Sequence, residues 1–178
     1  LSLKTIGTVY RSWGQYDKAI ENLQQALALY RKLGKEEDIA TNLKQIGWGY
    51  KFLGRYDKAM ENYQQALTLF RKLGNEDGIA SSLIDIGRVY SSSGKYDKAM
   101  ENYQQALTLY RKLGKEDGIA LSIIRIGTVY YSRGQYDKAM ENFQQALTLY
   151  RKLGKERDIA SSLESIGGGY GSLGQYDK

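Results

Sequence analysis

Asp57 and Glu61 stand one helical turn apart, the spacing at which two carboxylates could share a proton and act as an acid–base pair. The same pair returns as Asp17 and Glu21, Asp97 and Glu101, and Asp137 and Glu141, forty residues apart each time. Catalysis needs one such pair, whereas helix-end electrostatics and solvation explain a pair written into every unit. A second candidate, "IGGGYG" at residues 166–171, has the glycines of a phosphate loop. It lacks the Lys-Ser/Thr ending of such a loop and aligns with "IGTVYR" and "IGRVYS", so it reads as helix. The chain contains no cysteine and no histidine, which removes thiolate nucleophiles, imidazole bases, disulfides and the commonest metal ligands. A protein without catalytic machinery, cofactor or metal is expected.

Composition narrows the class further. At 42% hydrophobic and 26% charged residues, the chain holds enough apolar side chains for a core and is expected to fold. No run approaches the roughly 20 consecutive apolar residues of a membrane span. The opening "LSLKTIGTVY" lacks the charged start, apolar middle and cleavage pattern of a secretory leader, so a cytoplasmic location is expected. Proline is absent, and no ring geometry interrupts long helices.

The elements that carry these recurring residues follow from the period. Gly14, Gly54, Gly94, Gly134 and Gly174 are each forty apart. Within one unit Ala59, Tyr63, Ala66, Leu67, Phe70 and Leu73 recur at three- and four-residue steps, the apolar face of an amphipathic helix B at about residues 56 to 73. Asp57 lies in its first turn, Arg71 and Lys72 in its last, and Gly74 follows where a left-handed cap is wanted. Before it, Ile39, Leu43, Ile46, Tyr50 and Leu53 form the stripe of a helix A that ends at Gly54. Gly47 interrupts that stripe, as Gly7, Gly87, Gly127 and Gly167 do in the other copies. A mid-helix glycine costs roughly 1 kcal/mol relative to alanine, so a repeated one predicts a neighbouring helix in close approach.

One helix pair cannot cover both stripes, and neighbouring pairs must stack into a solenoid. The sequence predicts four A/B pairs and a fifth helix A, nine helices in a single array over 1–178, with units at about 1–36, 37–76, 77–116, 117–156 and 157–178. The array carries no polar capping repeat, and it is expected to be a piece of a longer protein. The glycines of residues 166–171 predict a frayed last helix.

These columns resemble the tetratricopeptide repeat. Leu43, Ile46, Gly47, Tyr50, Gly54, Tyr56, Ala59, Tyr63 and Ala66 match its order of large, small and aromatic positions, and the match spans essentially the whole chain. The usual repeat has about 34 residues and a proline after helix B. Here the period is forty, and the chain runs on through Arg71, Lys72, Leu73 and Gly74. This longer form is similar to repeats of Pins/LGN-type polarity scaffolds, kinesin light chains and large bacterial signalling proteins. The resemblance implies an all-α fold, a right-handed α–α superhelix of antiparallel helix pairs. It also implies a concave wall of A helices that binds proteins or peptides.

Variation between the copies falls on helix A. The changing columns are Lys4, Lys44, Ile84, Ile124 and Glu164; Thr8, Trp48, Arg88, Thr128 and Gly168; and Arg11, Lys51, Ser91, Tyr131 and Gly171. Their spacing of i, i+4, i+7 puts them on one face, which the resemblance places on the concave wall. Lys4, Thr8, Arg11, Lys44, Trp48, Lys51, Ile84, Arg88, Ile124, Thr128 and Tyr131 are therefore the candidate peptide groove. The formal charge of +6 also arises there, since the A helices and their turns carry nine basic residues against Asp85 and Glu164.

The partner expected is a peptide with acidic residues toward Lys4, Arg11, Lys44 and Lys51 and an apolar anchor toward Ile84, Ile124 and Tyr131, with Trp48 as the hot spot. A solvated charged face with no partner is the bland alternative. End-to-end self-association through the terminal helices is another. A nucleic-acid surface is weaker, because Tyr50, Tyr56 and Tyr63 sit in core columns and the basic columns are not continued through the fourth and fifth copies.

Overall fold

A computed structural model describes residues 14–172 and 174. Within them lie eight α-helices: α1 (Tyr16–Lys32), α2 (Glu36–Phe52), α3 (Tyr56–Lys72), α4 (Glu76–Ser92), α5 (Tyr96–Lys112), α6 (Glu116–Ser132), α7 (Tyr136–Lys152) and α8 (Glu156–Ser172). The expected first helix A falls outside the described residues. Every helix is 17 residues long, and three residues connect it to the next, so each forty-residue unit is two twenty-residue halves.

The turns explain that regularity. After α3, Leu73 is the last residue near helical geometry and Gly74 takes φ +65°, which a β-carbon disfavours. The Gly74 amide then donates to the Arg71 carbonyl at 3.1 Å and the Asn75 amide to the Phe70 carbonyl at 3.0 Å, a Schellman pair that satisfies two orphan carbonyls. The Asn75 side chain closes the start of the next helix by accepting from the Gly78 amide at 2.8 Å. Helix B thus ends at Lys72 as its cap residues predict. Helix A begins at Glu36, three residues before the first member of its apolar stripe, because Glu36, Glu37 and Asp38 favour the positive helix start.

The chain divides into two compact units, Leu1–Ser93 and Gly94–Lys178. In the first, Ile20, Leu23 and Leu27 of α1, Ala40, Leu43 and Ile46 of α2, and Ala66 and Phe70 of α3 form one core cluster. Each large side chain buried there contributes on the order of 1.5–3 kcal/mol. In the second, Ala120 and Ile123 of α6 meet Ala146 and Tyr150 of α7, while Ala139, Met140 and Phe143 of α7 hold a further cluster against α8.

The mid-helix glycines do what their cost predicts. A β-carbon on Gly47 would lie 2.9 Å from the Tyr63 ring and 3.1 Å from the Ala59 carbonyl oxygen, and one on Gly127 would lie 2.7 Å from the Phe143 ring. Gly167 meets nothing within 4 Å. Its helix, α8, still runs all 17 residues through the glycine run, although only Ser162 and Gly169 are buried in it. Two expected apolar positions are different: Tyr56, the first residue of helix B, is 37% exposed, and Leu73, which caps its end, is 42% exposed.

Candidate functional site

In the first unit the variable face of helix A is built by α2 and α4. Lys44, Trp48 and Lys51 follow one another along α2 and all are half-buried. The Lys44 ammonium donates to the Ser81 hydroxyl at 2.6 Å and lies 3.3 Å from the Asp85 carboxylate. Arg88 approaches the same carboxylate at 3.7 Å. Lys44, expected to await an acidic partner, is therefore tied to Asp85, and Arg88 shares that carboxylate. The sequence offered one signal for this residue: its column otherwise reads Thr5, Gln45, Arg125 and Ser165, so Asp85 is its single acid.

Trp48 belongs to two surfaces. On one side it joins a ring cluster, 4.0 Å from Phe52 and 5.7 Å edge-on from Tyr16, with Tyr16 and Phe52 5.3 Å apart and stacked. The Lys51 ammonium sits 5.1 Å from the Phe52 ring centre, within cation–π range. Phe52 is 46% exposed, and sequence reasoning missed it. Its column reads Ser12, Ser92, Ser132 and Ser172 elsewhere, a departure as plain as that of Trp48. On its other side Trp48 walls a pocket of about 390 Å³ floored by Phe70 and rimmed by Glu37, Lys44, Asp77 and Asp85. Three carboxylates against one ammonium make that rim acidic.

Ile84 requires a correction. It is 4% exposed and belongs to the core, because the column that is half-buried at Lys44 and Ile124 turns fully inward in α4. It offers no surface to a partner. Lys4, Thr8 and Arg11 lie outside the described residues.

In the second unit α6 and α8 build the corresponding face. Ile124 is half-buried against the core, Thr128 is exposed, and the Tyr131 hydroxyl shares a 2.8 Å hydrogen bond with the Ser172 hydroxyl. Thr128, Tyr131, Glu164 and Gly168 line a pocket of about 340 Å³ with Phe143 at its base. Gly168 leaves the space that a larger residue of its column would fill.

Other chemistry is sparse. Burial, reinforced by Asp85, pushes the Tyr63 phenol far above its ordinary value, and burial with Asp158 and Asp117 pushes Tyr150 up to about 12. Tyr63 and Tyr103, at 0% and 2% exposure, have no face on which a base could stack. Among the described residues no acidic cluster could hold a metal ion, and no helix is long and apolar enough to cross a membrane.

Repeated antiparallel helix pairs with a constant core and a variable face define a helical-repeat array. The tetratricopeptide repeat family model matches residues 1–72, 38–112 and 118–178, and the chain belongs to that family. No curated protein sequence matches it significantly. Among solved structures it is similar to BtubC from P. vanneervenii, at 22% identity and TM-score 0.83 over 98% of this chain and 72% of that one. It is similar to a putative kinesin light chain of nearly identical repeats from P. anserina, at 20% identity and TM-score 0.76 over 98% and 86%. A Rap protein complexed with Competence and Sporulation Factor gives 20% identity and TM-score 0.88 over 98% of this chain and 49% of that one. These likenesses establish an all-α tetratricopeptide solenoid.

Proposed function

We propose that the chain is a non-catalytic protein-interaction scaffold that holds a peptide or protein segment against the variable face of its A helices. The observation that carries this reading is the aromatic surface of Trp48, Phe52 and Tyr16 beside the pocket between α2 and α4. The repeat does not need Trp48 or Phe52 for its own packing, since the column of Trp48 holds Thr8, Arg88, Thr128 and Gly168, and that of Phe52 otherwise only serine. Partly exposed aromatic side chains without a structural task are the usual anchors of an interface. The likeness to a Rap protein complexed with Competence and Sporulation Factor supports the same class of function.

The charges refine the partner. Lys44 and Arg88 already share Asp85, so the contact with the partner is centred on an apolar residue against Trp48 and Phe52. The rim of Glu37, Asp77 and Asp85 favours a neutral or basic side chain in the pocket itself. Ile124, Thr128 and Tyr131 offer a second contact region within the other unit.

Selection of displayed random peptides on the chain, followed by affinity measurement on Trp48→Ala/Phe52→Ser, tests the reading. Both residues lie at the surface, so the variant is expected to unfold with the parent while binding selected peptides at least about tenfold more weakly. Equal affinities for parent and variant would remove this face from the function.

A further inference from the structure

The pocket of about 390 Å³ between α2 and α4 is bounded by aromatic rings inside and by carboxylates at its rim. Phe70 forms the floor because Gly78 lets its ring lie against the first turn of α4, where a β-carbon would stand 2.3 Å from that ring. Trp48 forms the wall. Asp85 is mostly buried, with 18% of its side chain exposed, whereas Glu37 and Asp77 are exposed. Lys44, the cation of the lining, is taken up by Asp85 and the Ser81 hydroxyl. The Asn75 amide donates to the Glu37 carboxylate at 3.0 Å, which holds that acid in place while leaving it further lone pairs.

Comparison with the other copies shows that this charge does not belong to the frame. Asn75 stands where the other copies have Lys35, Lys115 and Lys155. In the second unit Lys155 lies 2.9 Å from Asp117, the counterpart of Glu37, and neutralises it. The neutral Asn75 leaves Glu37 its charge. Eighty residues on, Gln45, Asp77 and Asp85 are answered by Arg125, Arg157 and Ser165, and Trp48 by Thr128. The ring that is acidic in the first unit is thus basic in the second. Helix-start electrostatics account for Glu36 and Glu76, which recur as Glu116 and Glu156. They do not require Asp77, whose place Arg157 takes, and they do not reach Asp85 in mid-helix.

We infer that this pocket is a guanidinium site, taking one arginine side chain of the segment held on the variable face. It rests on the function proposed above for the segment that brings the arginine. A guanidinium is planar and weakly hydrated, stacks on an aromatic face such as Trp48, and carries five donors for carboxylates that α2 and α4 present from two helices. The ammonium of a lysine is a more strongly hydrated point charge and gains less from the aromatic wall. The same rim repels an acidic side chain, so the pocket selects by charge as well as by shape.

The probe is N-acetyl-argininamide, titrated into the whole chain to about 100 mM at constant ionic strength by two-dimensional NMR. N-acetyl-lysinamide and the uncharged isostere N-acetyl-citrullinamide are run beside it. Saturable shifts are expected at the Thr41, Gln45 and Gly78 amides and the Trp48 indole, weaker for the lysine compound and at least about tenfold weaker for the citrulline compound. Trp48→Thr/Asp77→Arg places at both positions the residue that the repeat itself uses eighty residues on, so the fold is kept, which an unchanged thermal transition verifies. That variant should weaken the arginine compound at least about tenfold. Absence of saturable shifts at these groups overturns the inference, as do equal shifts from the citrulline compound or binding that the variant leaves intact. Displayed peptides separate the inference from the reading it rests on. Peptides that lose affinity in Trp48→Ala/Phe52→Ser but tolerate leucine in place of every arginine keep that reading and overturn this inference. Peptides indifferent to Trp48→Ala/Phe52→Ser remove that reading, while argininamide seated in the pocket still upholds the guanidinium site.

Discussion

The Tyr63 hydroxyl is the clearest residue-scale conflict between repetition and packing. Its side chain is 0% exposed, and the hydroxyl has no hydrogen-bond partner. An unpaired buried hydroxyl costs on the order of 1–3 kcal/mol, whereas a ring without it fills the same space. The Tyr63 column reads Leu23, Tyr103 and Phe143 in the other copies, so an apolar residue is already tolerated there. Tyr63→Phe should therefore raise stability by about 1 kcal/mol in urea unfolding. A loss of similar size would show that the hydroxyl is paired in solution. Asn42 is a related case: its amide is buried and unpaired, while Ser82, Ser122 and Ser162 of its column each donate to the carbonyl four residues earlier at 2.8 Å. At this scale the sequence singled out Trp48 by its departure from its column, whereas the equally plain departure of Phe52 from a column of serines was missed. Asp85 was not read, because its role depends on Lys44 coming within 3.3 Å from the preceding unit of the repeat. Burial of Ile84 was hidden for a similar reason: one column can face a neighbour in one copy and solvent in another.

At the scale of the element, the same glycine column makes two opposite predictions. Gly47 lies under the Tyr63 ring and the Ala59 carbonyl, and the carbonyl oxygen cannot rotate away from an added methyl. Gly47→Ala should destabilise by roughly 1–3 kcal/mol through overpacking, more than the helix propensity it gains. Gly167 has open space around it, so Gly167→Ala should gain up to about 1 kcal/mol. Chemical unfolding of the two variants beside the parent decides the matter, and effects of the same sign would refute the account of the column. The helices themselves were almost fully legible. Glycine at a left-handed cap, acidic first turns and basic last turns marked both ends of α3 from sequence alone. The start of α2 was not, because its first turn is charged and lies outside the apolar stripe.

For the whole molecule, the repeat made the fold legible before any contact was known, since a period of forty with two stripes per unit has few packed solutions. What the period conceals is how its many tyrosines differ in environment, and this sets a pH dependence for the entire chain. Burial and nearby carboxylates raise Tyr150 to about 12 and Tyr63 further. In the unfolded chain both titrate near ~10. Above that pH the unfolded state binds fewer protons than the folded state, so stability is complete below about pH 10 and is lost as pH rises through the folded values. Each such tyrosine contributes a slope of at most about 1.4 kcal/mol per pH unit. Lys155, raised by its hydrogen bond to Asp117, acts in the same direction from the surface. Measured as urea midpoints from pH 8 to 12, Tyr150→Phe should follow the parent up to about pH 10 and then decline less steeply, by close to one proton per molecule. Parallel curves across the whole range would mean that Tyr150 ionises as freely in the folded chain as in the unfolded one, and that its position between Ala120, Ile123 and Ala146 does not hold it neutral.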